Sequence, residues 1–531
     1  MVAEFTMHIG ETAFACQLAY PEFFPDAPPS LTPKEDVRLS DHQWGRGGEL
    51  CLEYRADNWD PSITGAMMVE SAYRLLSSEV PPDAPPVESA HRTTLGQRLR
   101  GSPFRFFVDI LAGDALRNLN HGETYEGSVA EIRNGETWIC TVSRIGCKDE
   151  PHFTAAQNIP VGHNHYDARI LRVADGVKLP PAFRASSIMA FAEEYGLAEW
   201  LKATLKKGFG FLLITNGLDH RLVNVYEGTK LAIIESKTVE APADAPRLSS
   251  EHDYLAEKHI AIVGCGSVGS KVAVSLARSG GAHFLLVDPD LFFAGNVVRN
   301  ELDLRSIAVS KSHALKQRVQ EVRPTAEVLT STIILGGQES AASTRNIMSL
   351  LQNCDVIVDA TADPRVFNLC AAVAKNERKP LLWGEVFGGG IGGLVAMARP
   401  DIDPPPLTAR NQIASWYANK GVDWDFGTAR DYEVSRDDQP PMVASDAEVS
   451  LIAAHMTRFA LDVLTRPGSS IFPEAAYVLG FAPGYIFQVP FEAHPITYQA
   501  EGTWGPIVED DAGENMLKLL QGMGPKKPDA A

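Results

Sequence analysis

Between residues 258 and 290 the chain alternates in a way few folds accommodate. An apolar run IAIV (260–263) leads into the turn Gly264-Cys265-Gly266-Ser267-Val268-Gly269. The amphipathic run SKVAVSLARS (270–279) and a second apolar run, FLLV (284–287), follow and end at Asp288-Pro289-Asp290. Strand, helix and strand in such close succession build a parallel pair with the helix as its crossover. The GxGxxG spacing sets backbone N–H groups and the positive end of the helix dipole beside a phosphate. Asp288, 19 residues after Gly269, stands where a carboxylate can hold ribose hydroxyls. A second unit repeats the texture: CDVIVDATADP as a buried strand and its turn, VFNLCAAVAKNERK as a helix, PLLWGEVFG as a further strand. This alternation predicts an α/β region whose mostly parallel sheet is covered by helices on both faces. On its own the glycine turn suits NAD, FAD and adenylating enzymes alike, or a tight turn with no ligand.

The 531 residues, 45% of them apolar, allow several domains of roughly 100–200 residues each. The proline-rich VPPDAPPVESAHRT closes a first block. EAPADAPRLSS closes a middle block that mixes short apolar runs (FRFFVDILAG, TWICTVSRI, GFGFLLITN) with one amphipathic helix over ASSIMAFAEEYGLAEWLKATLKKG. The expected blocks are 1–95, 96–248 and 249–505, with an extension 506–531 whose end, PKKPDAA, reads as disordered. Lys and Arg number 48 against 67 Asp and Glu, a net charge of −19, which argues against nucleic acid as a partner. Seven cysteines, scattered and without a CxxC pair, fit free thiols in a reducing compartment and not a zinc ribbon. The start of the chain has no basic segment followed by an apolar one, and no run of 18 apolar residues occurs. The expectation is a cytoplasmic protein with no membrane partner.

The segment after Asp288 separates the readings. VDPDLFFAGNVVRNELDLRSIAVSKSHALKQRVQEVRPTAEV carries Asp288, Asp290, Asn296, Arg299, Asn300, Lys311 and Arg323-Pro324, and over its whole length it resembles the ThiF/MoeB and ubiquitin-activating family. The resemblance implies a Rossmann-like adenylation domain in which Gly264, Gly266, Gly269, Asp288, Asp290 and Asn296 hold ATP. Arg299 and Lys311 would neutralise phosphate oxygens as a carboxylate attacks the α-phosphorus. It also implies an aspartate for Mg²⁺ in the turn after the next apolar strand. In Asp359-Ala360-Thr361-Ala362-Asp363-Pro364 an ungapped count lands on Ala362, so Asp363 takes the metal role after a one-residue shift, with Asp359 as the fallback. A plainer reading has both carboxylates capping the helix that follows. ThiF-like folds commonly dimerise, which implies a homodimer. Activating enzymes place a catalytic cysteine in or near a crossover loop. Residues 398–448 are long enough for that loop, yet no cysteine follows Cys370.

Upstream, Tyr20-Pro21, Pro25, Pro28-Pro29, His42, Gly48, Cys51-Leu52, Trp59-Asp60-Pro61 and an apolar helix up to Leu75-Leu76 resemble, in order, the core of a ubiquitin-conjugating domain. This implies an α+β domain in which Cys51 carries a protein's C-terminus as a thioester; without it Cys51 reads as a small buried hydrophobe. The family's oxyanion asparagine has no counterpart. His42, nine residues before Cys51, is a candidate for positioning or proton transfer, or a histidine bonded to its own loop. Cys140, Cys147, Cys265, Cys354 and Cys370 read as structural, and His163 and His165 as loop histidines without a third metal ligand.

A conjugating-like block, an α+β middle block and a ThiF-like block in one α/β multidomain chain resemble the fused activating and conjugating proteins of bacterial CBASS antiphage operons. That implies ATP and Mg²⁺ as cofactors. The activated partner would be the C-terminus of a cGAS-like nucleotidyltransferase or of a ubiquitin-like protein, and the acceptor an amine on a protein or small molecule. The rival readings are a ThiF/MoeB-type enzyme that activates a sulfur carrier beside a non-catalytic first domain, an NAD-dependent oxidoreductase, and a scaffold without activity.

Overall fold

The computed structural model describes residues 1–506 apart from 36–38, 41, 45–47, 80–93, 156–163, 180–182, 184, 228–230, 242–247, 423–432 and 437–438. The break VPPDAPPVESAHRT, most of EAPADAPRLSS, His163 and the tail PKKPDAA therefore lie outside the described residues. The chain divides into two compact units, one of Met1–Val108, Arg133–Thr141 and Leu171–Val239, the other of Asp109–Ile132, Val142–Ile170 and the chain from Glu240 on. Among the described residues no helix is long and apolar enough to cross a membrane.

In the first unit, strands Val2–Ile9, Thr12–Ala19 and Ser30–Pro33 form an antiparallel meander, registered Val2 to Ala19 and Cys16 to Pro33. Alternation turns Met7, Ile9, Cys16, Leu18 and Leu31 to one side. Helix Gly65–Glu79 meets them with Met68, Ala72 and Leu76, four residues apart and so on one face. The helix begins on a glycine because a Cβ there would lie 1.9 Å from the Tyr20 hydroxyl. The same unit holds the antiparallel strands Phe209–Thr215, His220–Glu227 and Leu231–Glu240. They pack on two helices, Ala185–Glu194 and Ala198–Lys206, where the sequence suggested one. Gly196, at φ +70°, breaks the run between them.

The second unit holds the α/β sheet: β1 (His259–Val263), α1 (Ser267–Arg278), β2 (His283–Val287), α2 (Lys311–Val322), β3 (Glu327–Ser331), α3 (Ala341–Gln352), β4 (Val356–Asp359), α4 (Pro364–Glu377), β5 (Leu381–Phe387), β6 (Gly392–Ala398), α5 (Pro406–Asn419), α6 (Asp446–Thr465), β7 (Ala476–Gly480) and β8 (Ala493–Ile496). The strand order is β3-β2-β1-β4-β5-β6-β7-β8. The first five strands run parallel and the last three antiparallel. Period-two alternation sends Ile260, Ile262, Phe284 and Leu286 to a face covered by α1, α2 and α6, while Ala261, Val263, Leu285 and Val287 meet α3, α4 and α5. Each such fully buried leucine or isoleucine contributes roughly 1.5–3 kcal/mol, so the sheet is a rigid base for the loops at its ends.

Candidate active site

The register fixes where a ligand can sit. Val263 pairs with Val287 on one side and with Asp359 on the other, so three strands end level and their loops leave the sheet side by side. Strand order reverses between β1 and β4, the place where open α/β sheets receive ligands. A cavity of about 1150 Å³ opens there.

The glycine turn forms its floor. Gly264, at φ +90°, has no room for a side chain, since a Cβ would meet Thr361 Cγ2 at 2.8 Å. At Gly269 a Cβ would lie 1.9 Å from the Gly264 carbonyl oxygen; Gly269 is buried behind the turn, where it lets α1 close on β1 and does not line the cavity. Gly266, the N-cap of α1, lines the cavity, and a Cβ there would meet nothing within 4 Å. Its bareness leaves space on the ligand side.

Asp288 closes β2. Its Oδ2 accepts the Cys265 N–H at 2.7 Å and its Oδ1 the Asp290 N–H at 2.8 Å. Burial raises its pKa, opposed by those two bonds and by Lys311. Lys311 opens α2, and its Nζ lies 2.8 Å from Asp290 Oδ2. Asn296 accepts the Phe293 N–H at 2.9 Å, which shapes the one-turn helix Ala294–Val298. Arg299 follows, and its guanidinium donates to the Ala444 carbonyl at 3.3 Å, just before α6. Asp288, Asp290, Asn296, Arg299 and Lys311 all line the cavity. So does Asn300, which was absent from the predicted site set; its amide donates to the Cys265 carbonyl at 3.3 Å and braces the glycine turn.

The end of β4 and the turn that follows contain both candidate metal carboxylates, and each accepts bonds from the residue two positions on. Asp363 is the N-cap of α4: Oδ1 accepts Arg365 N at 2.8 Å and Nε at 3.1 Å, and Oδ2 accepts Nη2 at 2.7 Å. Those bonds hold its carboxyl below the usual range. Asp359 is buried and accepts the Thr361 N–H at 3.0 Å and hydroxyl at 2.6 Å. Desolvation pushes its pKa up to about 6. Asp363 lines the cavity and Asp359 does not. Among the described residues no three His, Cys, Asp or Glu side chains converge on a metal position. Magnesium does not need such a cage, because it keeps water and phosphate oxygens and takes one or two carboxylates. Asp363, its carboxylate held ionised on the cavity wall, would take that role by giving up its side-chain bonds to Arg365. Asp359, buried and bonded to Thr361 away from the cavity wall, does not fit it.

Two further parts of the wall escaped sequence reading. Ile333, Ile334 and Leu335, just past β3, present an apolar side suited to a flat base, and Arg365 adds a cation. The run TSTIILGG shows an apolar cluster without the period of a strand or helix, and only the topology turns it toward Gly264.

In the other unit, Cys51 is half-buried directly after the two-residue strand Glu49–Leu50, which pairs with Gln43–Trp44. The Cys51 N–H donates to the His42 carbonyl at 2.7 Å, so the hairpin brings the two residues together. Gln43 knits the loop: its amide donates to the Gly48 carbonyl at 2.7 Å and accepts the N–H groups of Leu39 and Ser40. Burial pushes the Cys51 thiol up, Glu49 adds to the rise and Arg55 opposes it. Cys16, Cys140, Cys265, Cys354 and Cys370 are buried, Cys147 is exposed, and His165 is exposed.

Residues 246–404 match the ThiF family. The chain is 28% identical over 223 residues to the uncharacterized protein y4qC of Sinorhizobium fredii, a match covering 40% of this chain and 38% of that protein. It is 27% identical over 214 residues to the ATP-dependent ubiquitin transferase-like protein Cap2 of Enterobacter hormaechei, covering 40% of this chain and 34% of that one. The chain thus spans between a third and two fifths of the length of these two relatives. Among solved structures, Escherichia coli MccB with ATP matches 49% of this chain and 68% of its own at 12% identity, with a TM-score of 0.36.

Proposed function

We propose that this Cap2-like chain of the ThiF/MoeB superfamily uses ATP to activate the C-terminal carboxylate of a partner protein, takes the acyl group onto Cys51 and passes it to an amine. The observation that carries the reading is the cavity at the β1/β4 reversal, where a phosphate-type glycine turn, the ribose-type carboxylate Asp288 and the cations Arg299 and Lys311 face one space. Two cations facing the glycine turn suit displacement at phosphorus, because charge gathers on phosphate oxygens as pyrophosphate departs.

In the first step the partner's carboxylate oxygen attacks the α-phosphorus of ATP, and the bond to the pyrophosphate oxygen breaks. Gly264 and Gly266 give the phosphates close approach to the backbone, Asp288 orients the ribose, and Arg299 and Lys311 balance the charge on the reacting oxygens. Mg²⁺ held by Asp363 would supply further neutralisation of the phosphates. In the second step Cys51 sulfur attacks the acyl carbon, AMP leaves, and the thiol proton passes to solvent. In the third, an amine nitrogen attacks the thioester, the Cys51 thiolate leaves, and the amine gives up a proton. Activation is required because a free carboxylate is a poor electrophile, whereas its mixed anhydride with AMP has a good leaving group.

The Cys51 steps rest on the conjugating-like order of residues 20–76 and on a half-buried thiol whose loop is held by Gln43. The partner in this reading is a cGAS-like nucleotidyltransferase or a ubiquitin-like protein, the acceptor a protein or small-molecule amine, and the setting the cytoplasm, with the ThiF domain as a homodimer. The blocks 1–95, 96–248 and 249–505 are its proposed division of labour. One observation favours activation of a sulfur carrier without a Cys51 thioester: the thiol is pushed up and not down. Single-turnover AMP release in wild type and Cys51→Ala, with intact-mass readout, decides between them. Our reading expects a reductant-sensitive acyl adduct in wild type alone; full product formation by Cys51→Ala would favour the sulfur-carrier reading.

A further inference from the structure

The cavity wall carries three cations and three carboxylates: Arg299, Lys311 and Arg365 against Asp288, Asp290 and Asp363. Two of the cations lie directly on two of the carboxylates, Lys311 on Asp290 and Arg365 on Asp363. Lys311 already has a phosphate role in the adenylation reading, and Arg365 has none. It is the second residue of α4, and its side chain is 73% exposed although it holds both Asp363 oxygens, through Nε at 3.1 Å and Nη2 at 2.7 Å. Its stem is fixed from behind: Gly336, at φ +80°, packs so closely that an added Cβ would lie 3.1 Å from Arg365 Cβ. The exposed head lies at the cavity wall, where it can turn without a change in the backbone.

The Asp363 oxygens that Arg365 holds are the ones a divalent cation would take. Magnesium, bound about 2.0–2.1 Å from its oxygens, would be too close to share the same lone pairs with a guanidinium and would release Arg365 from the carboxylate. Displaced from Asp363, a guanidinium on a fixed stem at the wall of a phosphate cavity finds the phosphate oxygens, to which its fork bonds with two parallel N–H groups. We propose that Arg365 is a third phosphate-binding cation of this cavity, parked on Asp363 and handed to the nucleotide phosphates when that carboxylate is released. The proposal rests on the adenylation reading and adds a residue to it.

Equilibrium binding separates this role from a structural one. ATP and adenosine are titrated into the full-length protein, by calorimetry in EDTA, for wild type, Asp363→Asn, Asp363→Asn/Arg365→Ala and Asp363→Asn/Arg365→Lys. Asp363→Asn frees the guanidinium without any metal. In that background Arg365→Ala should weaken ATP about ten-fold, the scale of one charge-assisted contact, and leave adenosine unchanged, while Arg365→Lys recovers part of the loss. If Arg365 serves only to hold Asp363, removing it after Asp363→Asn costs ATP nothing, and the proposal fails. An equal loss for adenosine also overturns it, placing Arg365 against the base or the wall. Wild-type protein that binds adenosine and ATP equally would instead remove the adenylation reading itself.

Discussion

Replacing Asp359 by asparagine should stabilise the protein at neutral pH and leave it unchanged in acid. The carboxyl is buried at the end of β4, and desolvation, opposed by the two Thr361 bonds, raises its pKa from the ordinary 3.8 to about 6. A carboxyl that binds its proton more tightly when folded adds stability below its unfolded pKa and loses it as pH rises through the folded one. The loss therefore falls between about pH 4 and 6. At about 1.36 kcal/mol for each pH interval of one, the ionised carboxylate costs about 3 kcal/mol above pH 6. Asparagine keeps an oxygen for the Thr361 N–H and hydroxyl and carries no charge. Urea unfolding of wild type and Asp359→Asn between pH 3.5 and 7.5 measures the difference, and subtraction removes every other titrating group common to both. The expected difference is near zero in acid and rises by about 1.4 kcal/mol per pH interval of one to its plateau, with asparagine the more stable. A difference independent of pH, or one that favours aspartate at pH 7, would refute the placement of Asp359 as a buried turn cap and return it to contention as the metal ligand.

Other perturbations have equally definite outcomes. Gly269→Ala must push its Cβ into the Gly264 carbonyl, so it should lose about 1–3 kcal/mol in a melting experiment along with ATP binding. Gly266→Ala, with open space around it, should melt like wild type and lose only nucleotide affinity. Arg299→Ala should lower the rate of ATP–pyrophosphate exchange by about 10²–10³ with an unchanged melting temperature; an unaffected rate removes it from the phosphate site. Glu49→Gln removes a charge that raises the Cys51 pKa, so iodoacetamide should alkylate Cys51 faster than in wild type at pH 8. Trp59→Phe deletes the indole N–H bond to the Pro25 carbonyl, 2.7 Å long, at a cost of about 1 kcal/mol in chemical denaturation.

The α/β sheet was legible where the chain obeys one period at a time. The runs 260–263 and 284–287 are apolar throughout because both faces of a parallel sheet are covered, and the helix between them shows the 3.6 period. The antiparallel half was hidden: β6 begins in GGGIGGLVAMA, whose glycines mask a strand pattern, and the hairpin from β5 turns through Gly388, Gly389 and Gly390, all at positive φ. The metal turn was ambiguous for a physical reason as well. Ala362 adopts φ +55°, which re-aims the chain after Thr361 and leaves Asp363, not Asp359, on the cavity wall; a count along the sequence cannot detect a left-handed residue. Gly269 was grouped with the nucleotide contacts because its spacing is part of the fingerprint, while the fold uses it to seat α1 on β1. Around Cys51 the nine-residue interval to His42 suggested a relation, but a strand of only two residues carries too little periodicity to reveal the hairpin that makes it a backbone bond.

The central claim is that the cavity at the β1/β4 reversal activates an acyl group that Cys51 then carries. Its most direct measurement is the intact mass of the protein co-produced with the products of its neighbouring genes, for wild type, Cys51→Ala and Arg299→Ala, with ATP, before and after reductant. The account predicts a protein-sized, reductant-sensitive adduct on wild type that is lost in both variants. An adduct that persists in Cys51→Ala, or AMP formation by wild type with no adduct on Cys51, would contradict it.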